Sequence, residues 1–234
     1  MNIIIFGPPG AGKGTQSDFI CKKFNLFKLS TGELLRKEIN KKSLLGIEIT
    51  SVVNSGTLVS DKIINNLIEN IITNKEYENR IIFDGYPRNL SQAENLNSLL
   101  LKHGQRIDIA IKLEVSLDTI KKRITGRVIC SKCGNTYNEY FNMPPINSTC
   151  CKKELLQKRD DDNVEVAVKR FETYEKATEP VLEFYKKMNL VKDVNGETDI
   201  ETIYGKITDF LTVIEGWLYI ITPYKYDFKK LIPI

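Results

Sequence analysis

Gly7-Pro8-Pro9-Gly10-Ala11-Gly12-Lys13-Gly14-Thr15 is the stretch that decides the fold. It follows the apolar run Asn2-Ile3-Ile4-Ile5-Phe6 and opens onto a helical pattern over 13–24. A strand that turns through glycines into a helix with Lys and Thr at its start is a P-loop. The glycines let consecutive N–H groups point inward at phosphate oxygens, and the helix N-terminus adds positive potential. Lys13 brings a point charge to the β- and γ-phosphates of a nucleotide. In the common form of the motif the hydroxyl follows the Lys directly; here Gly14 intervenes and the hydroxyl is Thr15. Nucleotide contacts are therefore expected from Gly10, Ala11, Gly12, Lys13, Gly14 and Thr15. The loop establishes only phosphate binding, because GTPases, motor ATPases and small-molecule kinases all carry it.

Outward from the loop, short apolar runs rich in β-branched residues predict strands at 2–6, 80–84, 107–113 and 190–194, with a further one near 27–29. Helical patterns fall at 13–24, 31–40, 44–54, 60–73, 89–101, 116–125, 164–187 and 197–213. Such alternation predicts an α/β fold of three layers, a central parallel sheet with helices on both faces. Ser60 and Asp61 are expected to cap the helix at 60–73, Ser116 to cap the one at 116–125, and Pro180 to interrupt the long helix from 164. Two stretches break the alternation. Residues 31–73 are helical throughout. Residues 127–163 carry two cysteine pairs, Gly134 and Pro144-Pro145, and read as a small, separately folded insert.

Composition narrows the class. Of 234 residues, 41% are hydrophobic and 27% charged, ordinary for a globular protein. No apolar run approaches the ~20 residues that cross a bilayer, and the N-terminus enters a strand with no basic leader, so the expected location is the cytoplasm. The net charge of +4 is too small and too evenly spread for a nucleic-acid footprint. Among 34 basic residues only eight are Arg: 36, 80, 88, 106, 123, 127, 159 and 170. In so Lys-rich a chain, each Arg asks whether a planar, bidentate fork is needed there. Arg80 and Arg106 precede strands and are expected only to meet solvent.

A second phosphate site is legible in Asp84-Gly85-Tyr86-Pro87-Arg88, directly after the strand Ile81-Ile82-Phe83. A carboxylate ending a parallel strand beside a P-loop is placed to hold Mg2+, often through water. Arg88 can then clamp another phosphate. At this point the sequence resembles the adenylate kinases and, more widely, the nucleoside monophosphate kinases. The matching segments run from Met1 to about Leu211: the P-loop, Ser30-Thr31-Gly32, Leu35-Arg36, Gly56-Thr57-Leu58-Val59, Asp84 to Arg88 with Gln92, Arg123 with Arg127, and Arg159-Asp160-Asp161-Asp162 with Arg170.

The resemblance implies ATP as phosphoryl donor, AMP as acceptor and Mg2+ as the accompanying ion. It implies AMP contacts from Thr31, Arg36, Gly85, Arg88, Gln92, Arg159 and Arg170, with backbone of Gly56, Thr57, Leu58 and Val59 lining the base pocket. It places Lys13, Arg88, Arg123, Arg127, Arg159 and Arg170 around the transferring group, and Arg123, Arg127, Tyr137 and Gly196 on the donor side. All six remaining Arg are thereby assigned to phosphate. It also implies a core of 1–30, 60–126 and 164–215, a monophosphate-binding insert at 31–59, a lid at 127–163 and a monomer without nucleic-acid or membrane partners. The 216–234 tail, with Trp217, Tyr219, Tyr224, Tyr226 and Phe228 among Lys residues, is outside the resemblance and has no assigned role.

Cys130-x-x-Cys133-Gly134 has the spacing of a zinc knuckle. Family members with a metal-bearing lid carry a second Cys-x-x-Cys or Cys-x-x-Asp; this chain has adjacent Cys150-Cys151, an awkward geometry for two ligands. A structural Zn2+ on Cys130, Cys133 and one or both of the others is one reading, and a lid held by hydrogen bonds alone is the other. Function stays open in the same way. A GTP:AMP phosphotransferase or a UMP/CMP kinase shares the scaffold, and a nucleotide-gated binding module shares the P-loop. The Arg set argues against the last, since a switch needs no second phosphate clamp.

Overall fold

The computed structural model describes residues 1–41, 44–55 and 59–221. In chain order the elements are β1 (Ile3–Phe6), α1 (Lys13–Phe24), β2 (Phe27–Ser30), α2 (Thr31–Asn40), α3 (Leu44–Asn54), α4 (Asp61–Ile72), β3 (Ile81–Asp84) and α5 (Leu90–Lys102). There follow β4 (Ile109–Glu114), α6 (Leu117–Thr125), β5 (Arg127–Cys130), β6 (Thr136–Asn138), β7 (Leu156–Gln157), α7 (Val164–Ala177), α8 (Glu179–Lys186), β8 (Val191–Asn195) and α9 (Ile200–Ile221).

Five strands form one sheet in the order β2-β3-β1-β4-β8, all parallel. Side chains of a strand alternate between faces, so β1 divides the core in two. Ile4 and Phe6 pack with Leu29, Phe83 and Ala110 under α4, α5 and α8. Ile3 and Ile5 pack with Ile82, Ile109 and Ile111 under α1 and α9. This explains the nearly continuous apolar reading of the strands, since a doubly covered parallel sheet buries both faces. The expected three layers are thus present.

Parallel pairing sets Ser30 and Ile5 both beside Asp84 in register. The carboxyl ends of the strands therefore share one edge, from which the P-loop, Thr31, Gly85 and Gly196 all emerge. That edge is where ligands bind in such sheets.

Residues 127–157 fold apart from this sheet as a small antiparallel sheet, β6-β5-β7. The helix predicted from 164 does break, at Thr178, whose N–H bonds the Tyr174 carbonyl before Pro180 enters the first turn of α8. Ser116 caps α6 through the Thr119 N–H at 3.4 Å. Ser60 does not cap α4 with its side chain, and the Asp61 carboxylate instead reaches across to α5. The last helix also differs from expectation. It starts at Ile200 because Asp199 Oδ1 accepts the Thr202 N–H at 2.8 Å, and it continues to Ile221. A single glycine such as Gly216 costs a helix only about 1 kcal/mol and does not stop it. Residues 222–234 of the tail, together with Gly56, Thr57 and Leu58, lie outside the described residues. No helix among the described residues is long and apolar enough to cross a membrane.

Candidate active site

The P-loop turns through three glycines with positive φ, Gly7 at 150°, Gly10 at 84° and Gly12 at 96°. A side chain at Gly12 would project into open space, the space a phosphate needs, whereas one at Gly7 would meet the Leu113 carbonyl oxygen at 3.1 Å. Lys13 Nζ donates to the carbonyls of Gly7 at 2.7 Å and Pro8 at 3.0 Å, so the ammonium lies folded across its own loop. Burial lowers Lys13 to about 8, against the opposing pull of Asp84. Asp84 is buried in turn, which raises its carboxyl, with Lys13 as the largest force holding it ionised. One Asp84 oxygen is 3.7 Å from where a Cβ on Gly14 would stand. Gly14, the unusual insertion in the motif, thus sits in the first turn of α1 beside the candidate magnesium carboxylate.

At the end of β3 the chain makes a tight clamp. Gly85, at φ 79°, leaves its carbonyl to accept from Arg88 Nε at 2.7 Å and from the Thr31 hydroxyl at 2.8 Å. Arg88 Nη2 reaches Thr31 Oγ1 at 3.5 Å, and the Arg88 carbonyl accepts from the Thr178 hydroxyl at 2.8 Å. Sequence reasoning missed Thr178, because a Thr between two helices has no motif of its own. Gln92 is 2% exposed and sits beneath the clamp. Arg36 folds over Gly32, where an added Cβ would come within 3.3 Å of its Nη atoms.

The remaining guanidiniums converge from the far side. Arg127 ion-pairs with Asp162, with Nε donating to Oδ2 at 2.8 Å. Arg170 pairs with Asp161 at 2.6 Å and also donates to the Val53 carbonyl at 3.1 Å. Arg159 is lowered to about 10, first by burial and then by the neighbouring charges of Arg127 and Arg36. Its Nε has no hydrogen-bond partner among the described residues. Arg88 is lowered by burial and by Arg170 and Arg36, and Arg36 by burial, Arg127 and Arg170. The roles of Asp161 and Asp162 as holders of Arg170 and Arg127 were not read from the sequence. Only folding shows which carboxylate faces which guanidinium.

Arg123 stands apart from this group. Its Nη2 donates to the Gly196 carbonyl at 2.8 Å and Nη1 to the Ala11 carbonyl at 3.3 Å, while the guanidinium lies 5.9 Å from the centre of the Phe141 ring. It therefore ties the P-loop, the β8–α9 loop and the small sheet together. A Cβ at Gly196 would stand 2.6 Å from Val115 Cγ2 and 3.2 Å from the Glu114 carbonyl oxygen, so a side chain there would have to displace its neighbours. Tyr137, expected on the donor side, lies in β6 opposite Val128, and its hydroxyl donates to Cys151 Sγ at 3.2 Å. Arg80 and Arg106 stay at the surface, bonded to Asn25 and Asp108.

The four cysteines of the small sheet come together, all sulfurs lying within 4.8 Å of one another. Four thiolates about 2.3 Å from a shared zinc stand closer than 4 Å to each other, so the cluster fits tetrahedral zinc. Both Cys150 and Cys151 face the cluster, which the adjacent pair did not suggest. Gly134, at φ 75°, makes the knuckle turn, and its N–H bonds the Cys130 carbonyl. Backbone N–H groups of Cys133 and Lys132 lower the Cys130 thiol to about 7, while burial and the neighbouring sulfurs raise Cys133 and Cys150, so four thiolates together call for a cation among them.

Comparison with known proteins agrees with this geometry. A family model described as adenylate kinase matches residues 5–190. The adenylate kinase of Pelagibacter ubique is 51% identical over 213 residues, which is 91% of this chain and 100% of that protein. The adenylate kinase of Pyrococcus furiosus is 41% identical over 218 residues, 92% of this chain and 98% of its own length. That of Bacillus subtilis is 38% identical over 213 residues, 90% and 98% of the two chains. A P-loop facing a second arginine clamp and family matches across nine-tenths of the sequence lead to one conclusion: this chain belongs to the adenylate kinase family.

Proposed function

We propose that the chain catalyses reversible transfer of the terminal phosphoryl group of ATP to AMP, giving two ADP. The observation that carries this reading is the charge of the site. Lys13, Arg36, Arg88, Arg127, Arg159 and Arg170 act on one another through space, with Asp84, Asp161 and Asp162 among them, while Lys28 and Glu33, which also reach Asp84, pair with each other at 2.7 Å and offset. Buried like charges are costly alone. Six cations against three carboxylates suit a space that is filled by two phosphorylated molecules at once.

Position supports the following division of labour. Gly10 to Thr15 cradle the ATP phosphates, with Arg123 beside the P-loop toward the transferring group and Gly196 toward the donor base. Thr31, Arg36, Gly85 and Arg88 hold the AMP phosphate, Gln92 meets its base, and Val59, buried beside α4, supports the base pocket. Arg127, Arg159 and Arg170 face the transferring group between them. An AMP phosphate oxygen is already ionised at neutral pH, so attack needs no strong base. What the protein supplies is alignment and neutralisation of charge spreading over the phosphoryl oxygens.

Asp84 and Thr15 would hold Mg2+, which when bound neutralises charge on the β- and γ-phosphates. Cys130, Cys133, Cys150 and Cys151 would hold Zn2+ in a purely structural role. The 31–59 and 127–163 segments act as the acceptor-binding insert and the lid, on the core of 1–30, 60–126 and 164–215. Swinging inward, they exclude water that would otherwise hydrolyse ATP. Single-turnover transfer from γ-labelled ATP tests this reading. Label is expected in ADP rather than in free phosphate when AMP is present, and label released mainly as phosphate would overturn it.

A further inference from the structure

The Gln92 side chain is held at both ends by partners that allow its amide one orientation. Gln92 Oε1 accepts from the Arg88 backbone N–H at 2.7 Å, and Gln92 Nε2 donates to Asp61 Oδ1 at 2.6 Å. A backbone N–H can only donate and a carboxylate can only accept. A flipped amide would set two donors together at Arg88 and two acceptors together at Asp61. The ambiguity that usually attends a Gln amide is thereby removed.

Asp61 is itself fixed. Its two oxygens accept from Asn89 Nδ2 at 3.0 and 3.3 Å, and Asn89 Oδ1 caps α5 by accepting the Gln92 N–H at 2.8 Å. The Tyr86 hydroxyl ties down the same turn, reaching the Gln92 carbonyl at 3.2 Å and Asn65 Oδ1 at 2.9 Å. The first residue of α4, together with the Arg88 N–H, therefore sets the hydrogen-bonding sense of a side chain on α5.

We propose that Asp61 is a positioning residue that sets base selectivity at the acceptor site by fixing the orientation of the Gln92 amide. This rests on the reading that Gln92 meets the acceptor base. The locked amide retains one N–H on Nε2 and one lone pair on Oε1, in fixed order. A 6-aminopurine offers a ring acceptor beside an exocyclic donor and matches that order. A 6-oxopurine offers a ring N–H beside an exocyclic oxygen, the reverse. An amide able to turn can serve either, whereas a locked one leaves the 6-oxopurine with unpaired buried groups, which is where strong discrimination arises.

The test is kcat/KM for AMP and for IMP, with MgATP, in the full-length wild type and in Asp61→Asn, Asp61→Ala and Asp61→Glu. Asp61→Ala removes the acceptor for Gln92 Nε2 and leaves the Arg88 N–H as the one partner that orients the amide, and is expected to narrow the AMP-to-IMP ratio on the order of tenfold, with Asp61→Leu in its place if Asp61→Ala does not fold. The change should fall on KM more than on kcat. Asp61→Asn, whose amide oxygen can take the place of Oδ1 and accept from both Gln92 Nε2 and Asn89 Nδ2, should keep most of the ratio. Asp61→Glu, which keeps the carboxylate, should restore most of the ratio. Variants that lose AMP and IMP transfer in equal proportion would show a merely structural Asp61 and overturn the inference. A wild type that transfers to neither would overturn the acceptor reading beneath it.

Discussion

Arg170 on α7 donates to the carbonyl oxygen of Val53, in the last turn of α3, at 3.1 Å. The same guanidinium pairs with Asp161 at 2.6 Å, so the exit from the small sheet and the helical insert meet at one side chain. Arg170→Met should lower kcat on the order of 10²–10³-fold, the usual cost of a lost charge-stabilising donor. It should also speed amide exchange in 44–54, by freeing the end of α3. Unchanged kcat and unchanged exchange would remove Arg170 from both roles.

Gly85→Ala tests the acceptor clamp without removing a charged group. Its added Cβ would stand 3.0 Å from Arg88 Nη2 and 3.1 Å from Thr31 Oγ1, on a backbone at φ 79°. A displacement of that kind is expected to lower kcat/KM for AMP on the order of 10²-fold. The KM for ATP should move little, because the P-loop is untouched. An equal rise in both KM values would contradict the division of the site.

The pH dependence follows from Lys13. Its folded pKa of about 8 lies below the ordinary lysine value, so the ammonium that attracts phosphate is lost as pH rises through about 8. The kcat/KM for ATP should fall there. The kcat at saturating ATP should hold to higher pH, since bound phosphate favours the protonated form. For stability the sign reverses. The unfolded chain binds more protons at this group between about 8 and its ordinary value, so its contribution rises with pH in that window. Lys13→Met should thus abolish transfer without lowering the melting temperature of the unliganded protein. A kcat/KM profile flat beyond pH 9 would refute the lowered pKa.

Metal analysis of protein prepared without chelator should find one zinc per chain. Cys133→Ser should lower zinc content and the melting temperature, by several degrees if the site is worth ~2 kcal/mol in a chain this size. Its kcat should stay within about threefold of the wild type, because a closed four-sulfur site offers no position for substrate. Zinc-free protein with an unaltered melting temperature in Cys133→Ser would leave the small sheet held by hydrogen bonds alone.

The parallel sheet, the unbroken helical run from Thr31 and a separate fold around the cysteines were legible because apolar runs and glycine turns are local signals. The P-loop and the Asp84–Arg88 turn were legible for the same reason. What escaped the sequence was pairing across the fold. Asp61 reads as a helix cap, and in the structure its carboxylate serves Gln92 and Asn89 instead. Cys150 and Cys151 read as a poor ligand pair, yet both face the cluster. The last helix, expected to end at 213, goes on to Ile221, since a single glycine such as Gly216 is a weak stop. In each case the deciding partner is distant in sequence or the local signal is weak.

The most direct test of the account is a panel of ATP and GTP as donors, each with Mg2+, against AMP, UMP, CMP and GMP as acceptors. The account predicts diphosphate formation from ATP with AMP, with every other pair lower by at least about tenfold, the scale on which paired and unpaired buried groups differ. Comparable transfer from GTP, or preference for a pyrimidine acceptor, would contradict the assignment of ATP and AMP.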